Sequence, residues 1–142
     1  MEIVLGSDHA GYDLKEVCKA FLENRPDCRV ADIGVFDRAS ADYPKVAHKM
    51  AQALLLGEYS KGILICGTGL GMSMVANRYK GIRAALCHDL YTAKMSRLHN
   101  DANILVMGGR VTGPGLALEM VELFLKTPFE AGRHQLRLDQ MD

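Results

Sequence analysis

The sequence predicts a three-layer α/β/α sandwich built on a five-stranded, parallel, Rossmann-like sheet. Three observations carry that prediction. Short apolar runs alternate with longer amphipathic ones along the whole chain, and glycine-rich turns follow the first, third and fifth apolar runs. The length, 142 residues, suits one continuous core, so a single domain over 1–142 is expected. Repeated strand and helix units imply a parallel sheet with helices on both faces, because right-handed crossovers return each strand in the same direction.

The first strand is expected at Glu2 to Leu5. A helix follows from about Tyr12 to Glu23, where Leu14, Val17, Cys18, Phe21 and Leu22 recur at helical spacing and predict one buried face. The second strand is expected at Arg29 to Ile33. Asp42 and Pro44 then occupy N-cap and first-turn positions of a helix reaching about Leu56, with Val46, Ala47, Met50 and Leu54 on its apolar side. Gly62 to Cys66 reads as the third strand, followed by a glycine-rich turn and a short helix through Asn77. Ile82 to Cys87 reads as the fourth, after which Asp89 predicts the N-cap of a helix ending near Leu98. Asn103 to Met107 is the fifth strand, and Gly113 to Lys126 the helix after it, with Leu116, Met120, Leu123 and Phe124 facing inward.

Composition excludes several functions. Lys plus Arg and Asp plus Glu each number 17, so the formal charge is zero and no general attraction to nucleic acid or anionic lipid is expected. No apolar run approaches the roughly 20 residues of a bilayer span, and the start lacks a basic segment leading into a long apolar one. A cytoplasmic protein is expected. Cys18, Cys28, Cys66 and Cys87 form no CxxC pair and are too scattered for a disulfide framework, so free thiols are expected. With no Trp, a base-stacking surface is not indicated.

Parallel sheets of this kind place ligands beyond the carboxyl ends of their strands, where helix N-termini face anions. The loops to read are therefore Gly6 to His9, Cys66 to Gly71 and Gly108 to Arg110. Gly67, Gly69 and Gly71 alternate in the second loop and leave backbone N–H groups unshielded where a helix begins. The spacing is GxGxG, not the dinucleotide GxGxxG, and no Gly-Lys-Ser/Thr ending supports a P-loop. Cys66 at the mouth of that turn gains from the same amides, which favour a thiolate able to act as base or nucleophile; Thr68 lies beside it. Cys18 falls on a helix core face and Cys87 ends a strand with no glycine loop, so both read as structural. Asp8 and His9 follow the first strand, a common place for an acid and an imidazole that share a substrate. Arg133 and Arg137 are four apart and share a helical face suited to a phosphate, with Arg110 in the last glycine loop as a third cation. His99 alone reads first as a partner of the helix dipole, and His48 and His88 read as surface or structural.

Seven segments taken together resemble the family of ribose-5-phosphate isomerase B and galactose-6-phosphate isomerase subunits. They are GSDHAG at the start, DYP from Asp42, ILICGTGLGMS from Ile63, GIRAALC from Gly81, SRLHNDANIL from Ser96, GGRV from Gly108 and GRHQLR from Gly132. The resemblance implies an aldose–ketose sugar-phosphate isomerase of ribose 5-phosphate, without metal or organic cofactor. It also implies a homodimer or dimer of dimers with shared active sites, the 129–142 segment reaching toward a partner. Cys66 is then the base that carries a proton between C1 and C2, assisted by Thr68, with the amides of Gly67 to Gly71 holding the enediolate. His99 opens the sugar ring, Asp8 and Asn100 hydrogen-bond the sugar and Tyr43 closes over it. His9, Arg110, Arg133 and Arg137 hold the phosphate. Where some relatives place a glutamate base, this chain has Met72. The alternatives are the same chemistry on allose or galactose 6-phosphate, and a non-catalytic phosphosugar- or nucleotide-binding module.

Overall fold

The apolar runs become strands and the amphipathic runs helices in a computed structural model that describes residues 1–142. In chain order the elements are β1 (Glu2–Ser7), α1 (Tyr12–Glu23), β2 (Arg29–Asp32), α2 (Tyr43–Leu55), β3 (Lys61–Cys66), α3 (Leu70–Ala76), β4 (Ala84–Leu86), α4 (Leu90–Leu98), β5 (Ile104–Gly108), α5 (Pro114–Lys126) and α6 (Arg133–Leu138). All five strands are parallel, in the order β2-β1-β3-β5-β4. β3 and β5 lie in the middle and are almost wholly buried, as expected of strands covered on both faces.

Each face of the sheet has its own core. On one side Ile3, Leu5, Ile63, Ile65, Leu105 and Met107 pack against Leu14, Cys18 and Leu22 of α1, Ala93 of α4, and Met120 and Phe124 of α5. On the other, Val4, Leu64, Ile104 and Val106 meet Val46, Ala47 and Met50 of α2 and Met72 and Ala76 of α3. The alternation of odd and even strand positions between two cores is the period-two geometry of a pleated strand. The three-layer α/β/α arrangement and its parallel sheet are thus as the sequence predicts.

Four local expectations need correction. Leu116 of α5 is exposed; the inward face is Ala117, Met120, Val121, Phe124 and Leu125, an i, i+3, i+4, i+7, i+8 pattern that leaves Leu116 beyond its edge. Val17 is likewise exposed on α1, whose buried face instead accepts Lys15. Asp42 occupies the N-cap position of α2 but makes no capping hydrogen bond; its carboxylate pairs with Lys45 at 3.0 Å. β4 is also shorter than the apolar run suggests, since only Ala84 to Leu86 find partners at the sheet edge. Asp89, by contrast, caps α4 by accepting from the Thr92 amide at 2.7 Å.

Candidate active site

The strand order reverses at β1, which sends β2 to one side and β3 to the other. A crevice opens at such a point beyond the carboxyl ends, and the loops after β1, β3 and β5 meet there. They are stitched together by backbone hydrogen bonds: Asp8 N–H donates to Ile65 O at 3.2 Å, Gly109 N–H to Cys66 O at 2.8 Å and Arg110 N–H to Gly67 O at 3.0 Å. Cys66, the last residue of β3, is buried, and its Sγ accepts from the Gly69 amide at 3.2 Å. Gly69 has φ of +80°, a left-handed conformation that turns this amide back onto the sulfur and that side-chain-bearing residues resist. Thr68 is exposed at the mouth of the turn, and its Oγ1 accepts from the Leu70 amide at 3.3 Å.

Side chains from the other loops line the same opening. Asp8 is buried, and one carboxylate oxygen accepts from the Gly11 amide at 3.0 Å. His9 Nδ1 accepts from the Ala41 amide at 3.1 Å, so a neutral His9 carries its proton on Nε2 and is left free to donate. Tyr43, at the start of α2, packs against Gly71: a Cβ there would lie 2.5 Å from the ring. The Arg110 side chain reaches over Gly67. Asp8, His9, Tyr43, Cys66 to Gly71 and Arg110 therefore share one end of the sheet.

The remaining predicted residues are at the other end. His99 is the C-cap of α4, and Asn103, four residues on, enters the sheet at the amino end of β5, where its carbonyl accepts from Gly62 N–H. Cys66 and Gly108 pair at the carboxyl ends of the same two strands. Five residues of β5 separate the two edges, about 17 Å at the rise of a parallel strand. His99 and Asn100 are braced on that far edge by Arg83, which donates to the carbonyls of Asn100 and Asp101 at 3.0 Å each, and by Arg97, which donates to Asp101 Oδ1 at 2.9 Å. The chain then returns after α5, Glu130 N–H donating to Leu98 O at 3.0 Å, so that α6 with Arg133 and Arg137 lies beside His99. His134 of α6 is buried and stacks on the His99 ring, centroids 4.2 Å apart and planes 13° apart. Burial lowers the His134 pKa and the neighbouring His99 adds to that, against the pull of Glu130.

Sequence reasoning did not single out Arg83, Arg97, Asp101 or Glu130. Only the Arg97 and Asp101 spacing of four offered a signal, that of a helical ion pair. Burial pushes Cys18 up to about 12 and raises Cys87 as well, leaving both as protonated core residues at neutral pH. A cavity of about 560 Å³ between α1 and α5 is lined by Phe21, Leu118, Leu123 and charged neighbours and contains none of the predicted site residues.

Similarity to known proteins runs through the whole chain. The sequence model of a family described as Ribose/Galactose Isomerase matches residues 3–141. Ribose-5-phosphate isomerase B of Escherichia coli (strain K12) is 44% identical over 138 residues, covering 97% of this chain and 92% of its own. The structure of Clostridium thermocellum ribose-5-phosphate isomerase B superposes with a TM-score of 0.97 at 50% identity, covering 99% of this chain and 95% of that one. That of the Thermotoga maritima ribose 5-phosphate isomerase gives 0.96 at 49% identity, covering 99% and 97%.

Proposed function

We propose that this chain, which belongs to the ribose/galactose isomerase family, interconverts ribose 5-phosphate and ribulose 5-phosphate at a site that two copies build together. The observation that carries the reading is the amide-cradled sulfur: a strand-end cysteine accepting from Gly69 N–H inside an open glycine turn. Such a turn stabilises a thiolate and, beside it, any negative charge that develops on a bound substrate.

The chemistry follows from the groups present. His99 transfers a proton between the sugar's anomeric hydroxyl and its ring oxygen, which opens the furanose. Cys66 Sγ, as thiolate, removes the C2 proton of the open aldose, and the electron pair moves through C1 onto O1 to give the cis-enediolate. The amides of Gly67 to Gly71 and the Thr68 hydroxyl hold that charge. A proton passes from O2 to O1, the thiol returns its proton to C1, and the ketose results. Asp8 and Asn100 orient the hydroxyls, and Tyr43 covers the chain. His9, through its Nε2–H, and Arg110, Arg133 and Arg137 hold the phosphate.

Two copies are needed because no single chain brings Cys66 within reach of His99. A homodimer or dimer of dimers that sets the α4–α6 edge of one copy over the glycine turn of the other supplies both halves, with the 129–142 segment as the bridge. An isologous pairing completes two such sites at once. All four cysteines are free, which suits a reducing, cytoplasmic setting, and no helix is long and apolar enough to cross a membrane.

A panel assay tests the reading. Ribose 5-phosphate is expected to give a higher kcat/KM than allose 6-phosphate or galactose 6-phosphate. A hexose preference would overturn the substrate, and binding without turnover of any aldose phosphate would overturn the activity.

A further inference from the structure

We propose that His99, Glu130 and His134 form a binding site for a transition-metal ion of the zinc class, and that filling it switches the isomerase off. One candidate donor atom from each residue lies within 4.8 Å of the others. Glu130 Oε2 is 3.8 Å from His99 Nε2 and 3.5 Å from His134 Nε2. A tetrahedral ion bound through bonds of about 2.0–2.1 Å holds its donors about 3.3 Å apart, so donors now within 4.8 Å of one another must draw together to close the set. The near-parallel rings must also fan apart to converge on one ion, a movement open to His99, which is half-exposed at a helix end.

An independent feature points to a ligand. His134 is only 3% exposed, yet its Nε2 has no hydrogen-bond partner and faces the Glu130 carboxylate without bonding it. A buried polar atom left unpaired is costly, and a metal ion would satisfy it. The backbone holds the donors in place, since Glu130 N–H is fixed to Leu98 O and His134 N–H to Ala131 O, both at 3.0 Å.

The surroundings also choose the ion. Arg133 and Arg137 on the same short helix repel cations, and the donor set itself holds a single carboxylate. Hard ions such as Mg²⁺ and Ca²⁺, which depend on charge and several oxygens, are disfavoured; Zn²⁺, Ni²⁺ and Cu²⁺ bond directly to imidazole nitrogen. The ion would occupy the Nε2 lone pair of His99. The inhibitory part therefore rests on the ring-opening role proposed above, whereas binding does not.

The test is titration of metal-stripped protein with Co²⁺, read by the visible bands of a low-symmetry nitrogen and oxygen site, followed by displacement with Zn²⁺. The wild type should bind one ion per chain without thiolate-to-metal absorption, and Mg²⁺ should not compete. Glu130→Gln and His134→Gln should each weaken binding at least about tenfold, as loss of a metal-site contact does, while Cys28→Ser and Cys66→Ser leave it unchanged. Zn²⁺ should inhibit ribose 5-phosphate turnover, and Glu130→Gln should need at least ten times more ion for the same inhibition. Absent saturable Co²⁺ binding, or binding equal in wild type and Glu130→Gln, overturns the site. Should His134→Gln fail to fold, Glu130→Gln decides alone, because its carboxylate is exposed. Binding without inhibition would overturn the switch alone, and an inactive wild type that still bound the ion would locate the failure in the isomerase reading.

Discussion

At the residue scale, four thiols in one chain differ through their surroundings alone. Cys18 sits on the apolar face of α1 with nothing to stabilise a charge, and Cys87 is buried beside α4. Cys66 instead faces a turn whose amide already points at its sulfur. Iodoacetamide near neutral pH should therefore modify Cys66 before Cys18 or Cys87, activity should fall in step, and substrate should protect; peptide mapping of the labelled protein checks this. Cys66→Ala should lower kcat by about 10² to 10⁴, the range for a positioned acid/base. His99 calls for a different test, because ring opening and enolisation are separate proton transfers. His99→Asn should slow turnover of ribose 5-phosphate far more than that of a four-carbon aldose phosphate, which cannot close the same ring. Equal losses would place His99 in the enolisation step.

At the element scale, the junction of α1 with β2 contains a feature that hydrophobic periodicity cannot show. Lys15 lies on the buried face of α1 and is fully enclosed; its Nζ is 2.5 Å from Asp32 Oδ2 and 2.7 Å from Glu16 Oε1. Asp32 Oδ1 in turn accepts from the Gly34 amide at 2.8 Å, and Gly34 O accepts from the Ser7 amide at 2.8 Å. The ion pair thus ties α1 to the loop that leads to Tyr43 and also bonds His9. Lys15→Met should cost up to about 3–5 kcal/mol, the penalty for removing one partner of a buried ion pair, since Asp32 keeps only the more exposed Lys19 at 3.3 Å; denaturant unfolding measures it. Burial alone would raise the Asp32 pKa, but hydrogen bonds from Lys15 and Gly34 bring it below the ordinary carboxylate value. A carboxyl depressed on folding stabilises above its unfolded pKa, about 3.9, and that stability is lost as pH falls through the lower folded value. Unfolding midpoints measured from pH 5 downward should show this acid limb, and Asp32→Asn should flatten its share of it.

The sheet, its parallel direction and most helix limits were legible in the sequence because they depend on local periodicity and capping chemistry. The exceptions have physical causes. Leu116 and Val17 are apolar residues just off a buried arc whose width the sequence does not give, and the strand order depends on crossovers between distant segments. Candidate site residues were legible where a loop carries reactive groups among glycines, as at Cys66 to Gly71. Glu130 and the bracing pair Arg83 and Arg97 were not, since their roles depend on α6 folding back beside α4.

At the scale of the whole molecule, the sheet separates the two groups of residues to which the proposed chemistry is assigned. The glycine turn, Asp8, His9 and Arg110 occupy the carboxyl edge, while His99, Asn100, Arg133 and Arg137 occupy the amino edge about 17 Å away along β5. Defects in the two groups should therefore complement each other between chains. Cys66→Ala and His99→Asn chains should each be nearly inactive on ribose 5-phosphate. Unfolded together and refolded as a mixture, they should form hybrid dimers with one intact site and one doubly defective site, and random pairing should restore roughly a quarter of wild-type specific activity. A mixture no more active than its separately refolded components, beside a wild type that recovers fully, would contradict a site shared between chains.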